Sequence, residues 1–461
     1  MTDAPTWVTD RNVALLTDQY ELTMLQAYWR EQMFDDAVFS LFVRRLPAGR
    51  NYLLACGQGD ALRYLENLRF EPEALEYLAT FDEFGDGFLE WLEGLRFTGD
   101  VRAVPEGTPV FPQEPLLEVR APLPQAQLAE TFVMNQVHHQ TVMASKAARV
   151  VEAAGDAAVV DFGLRRMHGA DAGVKAARAF HVAGVAATSN VLAGRLYGVP
   201  VTGTMAHSYV QAHETELEAF REFTRLYPET VLLVDTYDSL EGTRKVVKLA
   251  EELGHEFRVR AIRLDSGDLA ELAHQARKIL DEAGLEDVEI FASGGLDEYE
   301  IREIRKRGAP IKGFGVGTGM GVARDAPSLD IAYKLTAYAG RGRLKLSEGK
   351  KILPGRKQVF RQEENGTAVR DVLARADEEL PGRPLLETFM EDGRRLPQGR
   401  EPLDRARERA RRELAALPAR IRAIDPADPS YEVVTSAALE AYQDRVEEAV
   451  AEDVEGGQAA S

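Results

Sequence analysis

An α/β barrel, irregular or incomplete, is the fold that this 461-residue sequence predicts, and three observations predict it. Seven short apolar runs recur at 157–162, 182–187, 199–202, 231–234, 259–264, 288–292 and 311–316. Most are followed by a stretch of helical period, the alternation that builds βαβ units around a parallel sheet. Almost every run ends in a cluster of functional side chains or glycines, which a parallel barrel gathers into a ring at the C-terminal mouth of its strands. One such cluster is an ordinary surface loop; seven in phase are hard to attribute to chance.

The elements follow in chain order. Residues 10–150 mix helical and strand-like stretches. Within them, 100–120 is rich in β-branched residues and proline and reads as strands with tight turns. Residues 128–152 have helical spacing and good helix formers. In the barrel region Ser239 N-caps a helix that runs to Gly254, and Asp268 starts another that ends near Gly284. After about residue 329 the rhythm decays. Residues 341–361 alternate like paired strands, 405–423 form a charged helix, and the last residues (AEDVEGGQAAS) read as a frayed tail. The predicted domains are 1–150, a barrel over 151–330, a C-terminal region over 331–445 that packs back on the first, and a disordered tail over 446–461.

Composition narrows the function classes. Apolar content of 45% with 28% charged residues marks a globular chain, not a disordered one. The opening MTDAPTWVTD carries acids and no apolar core, so it does not read as a signal peptide. No apolar run approaches the roughly 18 residues of a membrane span. A lone cysteine, Cys56, excludes an intramolecular disulfide framework and fits a reducing cytoplasm, the expected location. The net charge of −19 argues against nucleic-acid and anionic-membrane partners, though a local arginine cluster still suits a small anionic substrate.

The strand ends carry the chemistry. They read Phe162-Gly-Leu-Arg165-Arg166, Thr188-Ser189-Asn190, Gly203-Thr204-Met-Ala-His207-Ser208, Asp235-Thr-Tyr-Asp238, Arg263-Leu-Asp265-Ser266, Ser293-Gly294-Gly295 and Gly315-Val-Gly317-Thr318-Gly319. Glycines in the last two let backbone N–H groups approach an anion, and the helix after Gly295 would aim its N-terminus there. For either loop alone, a tight turn needing positive φ explains the glycines equally. Neither matches the dinucleotide or Walker A pattern, so any ATP must bind by another route. Arg165 and Arg166 are adjacent and diverge, one serving a ligand and the other an ion pair. Asp235, Asp238 and Asp265 suit Mg²⁺ or ribose hydroxyls, or cap helices. Of eight histidines, His207 alone follows a Gly-Thr turn at a barrel strand end, as a nucleophile or acid/base or, evenly, a structural residue.

The strings LLTDQYELTMLQAYW, DFGLRRMHGADAG, ATSNVLAGRLYGVPVTGTMAHSYVQ, VDTYDSLEGT, IRLDSGDL and GVGTGMG, in this order over roughly residues 14–330, resemble the nicotinate phosphoribosyltransferase family. The resemblance implies an irregular, TIM-like α/β barrel plus an α/β sandwich domain built from the N-terminal and C-terminal regions. It implies that nicotinate and 5-phosphoribosyl diphosphate give nicotinate mononucleotide and diphosphate, with ATP as co-substrate. By the same resemblance His207 is the histidine that ATP phosphorylates, Thr204 lies beside the nicotinate, and Arg263 is near the pyridine carboxylate. Phe162 stacks on the ring, and Arg165, Gly295, Gly317 and Thr318 cradle the 5-phosphate. Asp235 and Asp265 serve the ribose and, directly or indirectly, the Mg²⁺ of the diphosphate. Tyr20 and Asp18 reach the base pocket from the partner in a homodimer with a shared site. Nicotinamide-using relatives place an aspartate where this chain has Ser189, so the missing carboxylate favours an acid substrate. Rival readings are the same chemistry on nicotinamide or quinolinate, a non-catalytic barrel binding phosphoribosyl compounds, and a barrel isomerase or aldolase. The last would need a lysine or glutamate at a strand end, and none stands there.

Overall fold

Strand Asp36–Val43 (DAVFSLFV) is apolar almost throughout, and every residue after Asp36 is buried. Burial of successive residues means cover on both faces, because neighbouring side chains on a strand point to opposite sides. In the computed structural model, which describes residues 7–346 and 352–459, this strand lies within a seven-stranded sheet. The sheet order is Arg341–Gly342, Ile331–Tyr338, Asp36–Val43, Pro115–Pro122, Asp100–Ala103, Glu387–Glu391 and Arg394–Arg395. N-terminal and C-terminal strands therefore interleave in one antiparallel sheet. The chain divides into two compact units. The first comprises the described residues up to Val142 and from Ser328 onward; the second is Met143–Pro327. The division falls inside one long helix, Glu130–Ala154, rather than in a linker.

The first unit has a large apolar core, with Leu25, Leu41, Leu117, Val137, Tyr333 and Met390 buried in one cluster. Its C-terminal strands differ from the sequence reading. Residues 341–361 do not pair with each other. Arg341–Gly342 joins Ile331–Tyr338, whereas Lys357–Glu364 pairs with Thr367–Arg375 in a separate four-stranded sheet, and 347–351 lie outside the described residues. The second pairing is set by Asn365-Gly366, both at positive φ, the tight hairpin turn that Asn-Gly favours. The charged helix is two helices, Leu403–Ala416 and Ala419–Arg422, because Pro418 supplies no N–H to continue the first. Where a frayed tail was expected, helix Ala437–Ala459 continues to the end of the described chain.

The second unit is built on a parallel sheet in the order Ala187–Thr188, Ala158–Asp161, Gly313–Val316, Glu289–Ser293, Ala261–Leu264 and Val231–Leu233. Its last strand in sequence pairs with its first, and Val201 adds a parallel bridge to Thr188. The neighbours thus run consecutively round a curl that is open between Val201 and Val231 among the described residues. The fold is α/β, a curled parallel half-barrel with helices between its strands. The run 182–187 contributes only Ala187–Thr188, because Val182 ends the preceding helix Ala170–Val182. Asp238, not Ser239, caps helix Ser239–Leu253, accepting from the Leu240 and Glu241 amides. Asp268 caps Leu269–Glu282.

Candidate active site

Parallel pairing brings all the strand C-termini to one edge, and there the side chains of non-adjacent segments meet. Asp235, after Val231–Leu233, accepts at Oδ2 from the Asp265 amide (2.9 Å) and the Ser266 hydroxyl (2.6 Å). Its Oδ1 is buried without a partner. Asp265, after Ala261–Leu264, accepts from the Ser293 hydroxyl of the next strand. Its Oδ2 faces His207 Nε2 at 4.0 Å, and His207 Nδ1 lies 3.2 Å from the Thr236 hydroxyl. His207 opens the short helix His207–Gln211 and is part-exposed. Asp235, Asp265 and His207 thus cluster beside the strand ends, with Ser266, Ser293 and Thr236 as their respective hydroxyl partners.

Arg263 lies on strand Ala261–Leu264, next to the edge strand Val231–Leu233. Its Nη1 donates to the Thr204 hydroxyl (2.6 Å) and its Nη2 to the Met205 carbonyl (3.1 Å), which ties the 203–207 loop to the sheet. Its Nε is buried without a partner, and no carboxylate lies within ion-pair distance among the described residues. Burial lowers its pKa; Asp265 and Asp235 oppose that shift, and Arg165 adds to it. Arg165 therefore shares the same field. The guanidinium carbon stands 5.8 Å from the centre of the Phe162 ring. A half-buried cation with an unpartnered Nε and no matching carboxylate is stabilised when an anion arrives.

Phe162 is held by two features. Its amide donates to the Val316 carbonyl (2.9 Å), and its ring packs near Phe291 and over Gly315. A Cβ on Gly315 would sit 2.6 Å from that ring, so glycine is needed there for space. Gly294 and Gly295 are different: both have positive φ, and a Cβ on Gly294 would lie 1.8 Å from the Asp265 carbonyl. Gly317 has φ −111, so the second loop does not need the left-handed region at that residue. In the helix that follows Gly295, Glu298–Lys306, the Tyr299 and Glu300 amides already donate to Asp297 and are not open to an anion as expected. Asp297 and Glu300 close a capping box over its first turn.

The two arginines do diverge. Arg166 Nη1 donates to the Thr318 hydroxyl at 3.3 Å, whereas Arg165 acts on the charge of Arg263. Ser189 is part-exposed, and its amide donates to the Asp161 carbonyl (2.9 Å). Tyr20 and Asp18 belong to the first unit. Tyr20 is exposed on helix Gln19–Arg30, and Asp18 precedes that helix and accepts from the Thr131 hydroxyl (2.7 Å). Burial, with Glu130, Glu21 and Asp18 adding negative charge, pushes the Tyr20 phenol up to about 12.

Sequence reasoning missed Asp161. Its carboxylate is fully buried, accepts from the Gly163 amide (2.8 Å) and the Thr188 hydroxyl (2.7 Å), and is held above its ordinary pKa by burial. The acid at the end of an apolar run was the available signal. No group of three or more His, Cys, Asp or Glu side chains converges as a metal site among the described residues. No helix is long and apolar enough to cross a membrane among the described residues.

Comparison with known proteins adds to this geometry. The family model described as the nicotinate phosphoribosyltransferase N-terminal domain matches residues 15–138, and that of the nicotinate phosphoribosyltransferase family matches 157–373. A nicotinate phosphoribosyltransferase of Mycobacterium tuberculosis is 56% identical over 423 residues, 92% of this chain and 91% of that one. One of Bacillus subtilis is 42% identical over 392 residues, 82% of this chain and 80% of that one. The crystal structure of human nicotinic acid phosphoribosyltransferase superposes with a TM-score of 0.83 at 30% identity, covering 93% of this chain and 99% of that one.

Proposed function

The chain belongs to the nicotinate phosphoribosyltransferase family, and from that premise we propose that it transfers phosphoribose from 5-phosphoribosyl diphosphate to nicotinate. The product is nicotinate mononucleotide, an NAD precursor. The observation that carries the reading is Arg263, a half-buried cation with a buried, unpartnered Nε, no carboxylate within ion-pair distance among the described residues and an aromatic face beside it. An anionic aromatic ring satisfies both at once: the carboxylate takes the guanidinium, and the pyridine lies on Phe162. Thr204 holds the arginine in place.

The ring nitrogen then attacks C1 of the ribose as diphosphate departs, and the chain's contribution is orientation and electrostatic stabilisation. Arg165 and the turns at Gly295, Gly317 and Thr318 hold the 5-phosphate, with Arg166 bracing Thr318. Asp235 and Asp265 face the ribose and the diphosphate. The orphaned Asp235 Oδ1 and the lack of a third ligand fit Mg²⁺, which binds through one or two carboxylates plus substrate phosphates. Mg²⁺ held there would neutralise charge on the leaving diphosphate. His207 accepts the γ-phosphoryl group of ATP, with Thr236 fixing Nδ1 and Nε2 turned toward Asp265. Its hydrolysis couples ATP to product formation.

The half-barrel and the seven-stranded sheet with its helices fit the irregular barrel and the α/β sandwich of the family reading. Two exposed apolar groups support a homodimer with a shared site: Trp7, Val8, Leu16 and Tyr20 in one, Val191, Leu192, Leu196 and Val201 in the other. In such a dimer each N-terminal group of one copy covers the rim of the other. Co-refolding Tyr20→Ala with Asp265→Ala chains then restores roughly a quarter of wild-type activity from two nearly dead parents. A mixture that stays inactive despite subunit exchange contradicts the shared site. The function itself is tested by measuring mononucleotide formation from nicotinate, nicotinamide and quinolinate, with and without ATP. Preference for either rival base contradicts the proposal.

A further inference from the structure

Beneath the exposed Asp18 and Tyr20, Glu21 is completely buried in the first turn of helix Gln19–Arg30. The Thr131 hydroxyl stands between two carboxylates, 2.7 Å from Asp18 Oδ2 and 2.9 Å from Glu21 Oε1. A threonine hydroxyl has one proton to donate. With both acids ionised, one of these contacts would oppose oxygen lone pairs with no hydrogen between them. The arrangement is satisfied when Glu21 is protonated. Its Oε1–H then donates to Thr131, Thr131 donates to Asp18, and the Thr17 hydroxyl donates to Glu21 Oε2 at 2.6 Å.

The surroundings select Glu21 over Asp18 as the protonated member. Asp18 is exposed, whereas Glu21 has no lysine or arginine within ion-pair distance among the described residues. Around it are Asp18 and Tyr20 of its own segment, Glu130 from the long helix, and the phenols of Tyr64 and Tyr333. Glu130 itself pairs with Lys334 at 3.5 Å. Burial is the main reason that the Glu21 carboxyl is pushed up to about 7, with Glu130 and Asp18 adding like charge.

We propose that Glu21 is a positioning residue for the transfer reaction, holding a proton that, relayed through Thr131, fixes Asp18 and Tyr20 for the incoming base. This rests on the reading of Asp18 and Tyr20 as base-pocket residues. When Glu21 ionises, two carboxylates compete for one hydroxyl, the pair loosens, and negative charge gathers where an anionic base must bind.

The test is the KM for nicotinate and kcat from about pH 6 to 9, at saturating 5-phosphoribosyl diphosphate and ATP. In the wild type KM rises several-fold through neutrality while kcat changes less. Glu21→Gln, whose amide donates to Thr131 and has no proton to lose, keeps the low KM across the range. Thr131→Ser retains the wild-type profile, and Thr131→Val raises KM at every pH. A Glu21→Gln profile that rises with pH as the wild type does overturns the proposal.

Thermal unfolding separates this failure from failure of the base-pocket reading. The Glu21 pKa is raised on folding, from 4.5 to about 7, so between these values the native state binds more protons than the unfolded state. Stability therefore falls as pH rises through that window, and the wild-type Tm drops relative to Glu21→Gln. No change in this Tm gap with pH means that Glu21 holds no proton, and the proposal fails. A gap that grows with pH, while Tyr20→Ala leaves the nicotinate KM unchanged, means instead that the base-pocket reading fails.

Discussion

Arg361 in the first unit is fully buried and Arg263 in the second is half-buried, and the chain treats them differently. Arg361 is 1% exposed and makes a two-pronged contact with Asp371, at 3.0 Å from Nε and 2.6 Å from Nη2, with the Pro109 carbonyl at 2.8 Å. The Tyr431 hydroxyl donates to the same aspartate (2.9 Å). Burial works against the Arg361 charge, but Asp371 and Glu114 outweigh it and hold the pKa above the usual range. At Arg263 burial wins, and the pKa falls, because its direct partners are a hydroxyl and a carbonyl. Arg361 has its counter-charge inside the fold; Arg263 has none within ion-pair distance among the described residues.

That contrast is broken most severely at Arg361. Arg361→Met leaves Asp371 buried without its counter-charge, a loss of about 3–5 kcal/mol of stability. Chemical denaturation reads it as a lower midpoint, while protein that remains folded keeps its nicotinate KM. A change in KM with no loss of stability would reverse the assignment. A smaller effect separates the two carboxylates of the 235–238 strand end. Asp238→Ala removes a helix cap worth about 1 kcal/mol and leaves the kinetics unaltered, since its Oδ1 already serves the Leu240 and Glu241 amides. A large fall in kcat would instead put Asp238 in the site. The smallest effect comes from adding charge. Ser189→Asp, at a part-exposed position, shifts preference from nicotinate toward nicotinamide by roughly 1 kcal/mol or less. An unchanged substrate ratio would place Ser189 away from the base.

The parallel sheet was legible because short apolar runs separated by helical stretches have few other solutions, and each strand falls within a run or overlaps it. The run 182–187 misled because a buried helix end is as apolar as a strand. Residues 341–361 misled because alternation marks strands without naming their partners, and these segments pair in two different sheets. In the site, the charged and glycine positions announced themselves at strand ends. The contacts of Thr236, Ser266, Ser293 and Asp161 did not, since they join segments far apart in the chain that the packing of neighbouring strands brings together. The capping box at Asp297 was written in the sequence as Asp-x-x-Glu, and it changes what the Gly294-Gly295 turn presents to an anion.

The most direct measurement compares transfer to nicotinate and to nicotinamide by the wild type and by Arg263→Gln. A charge-assisted contact to the carboxylate is worth roughly 1.5–3 kcal/mol, about ten- to a hundredfold in kcat/KM. The account predicts that Arg263→Gln loses that factor for nicotinate and little for nicotinamide, so that discrimination collapses. Equal losses for both bases would contradict it, and would assign Arg263 to the phosphate that every substrate pair shares.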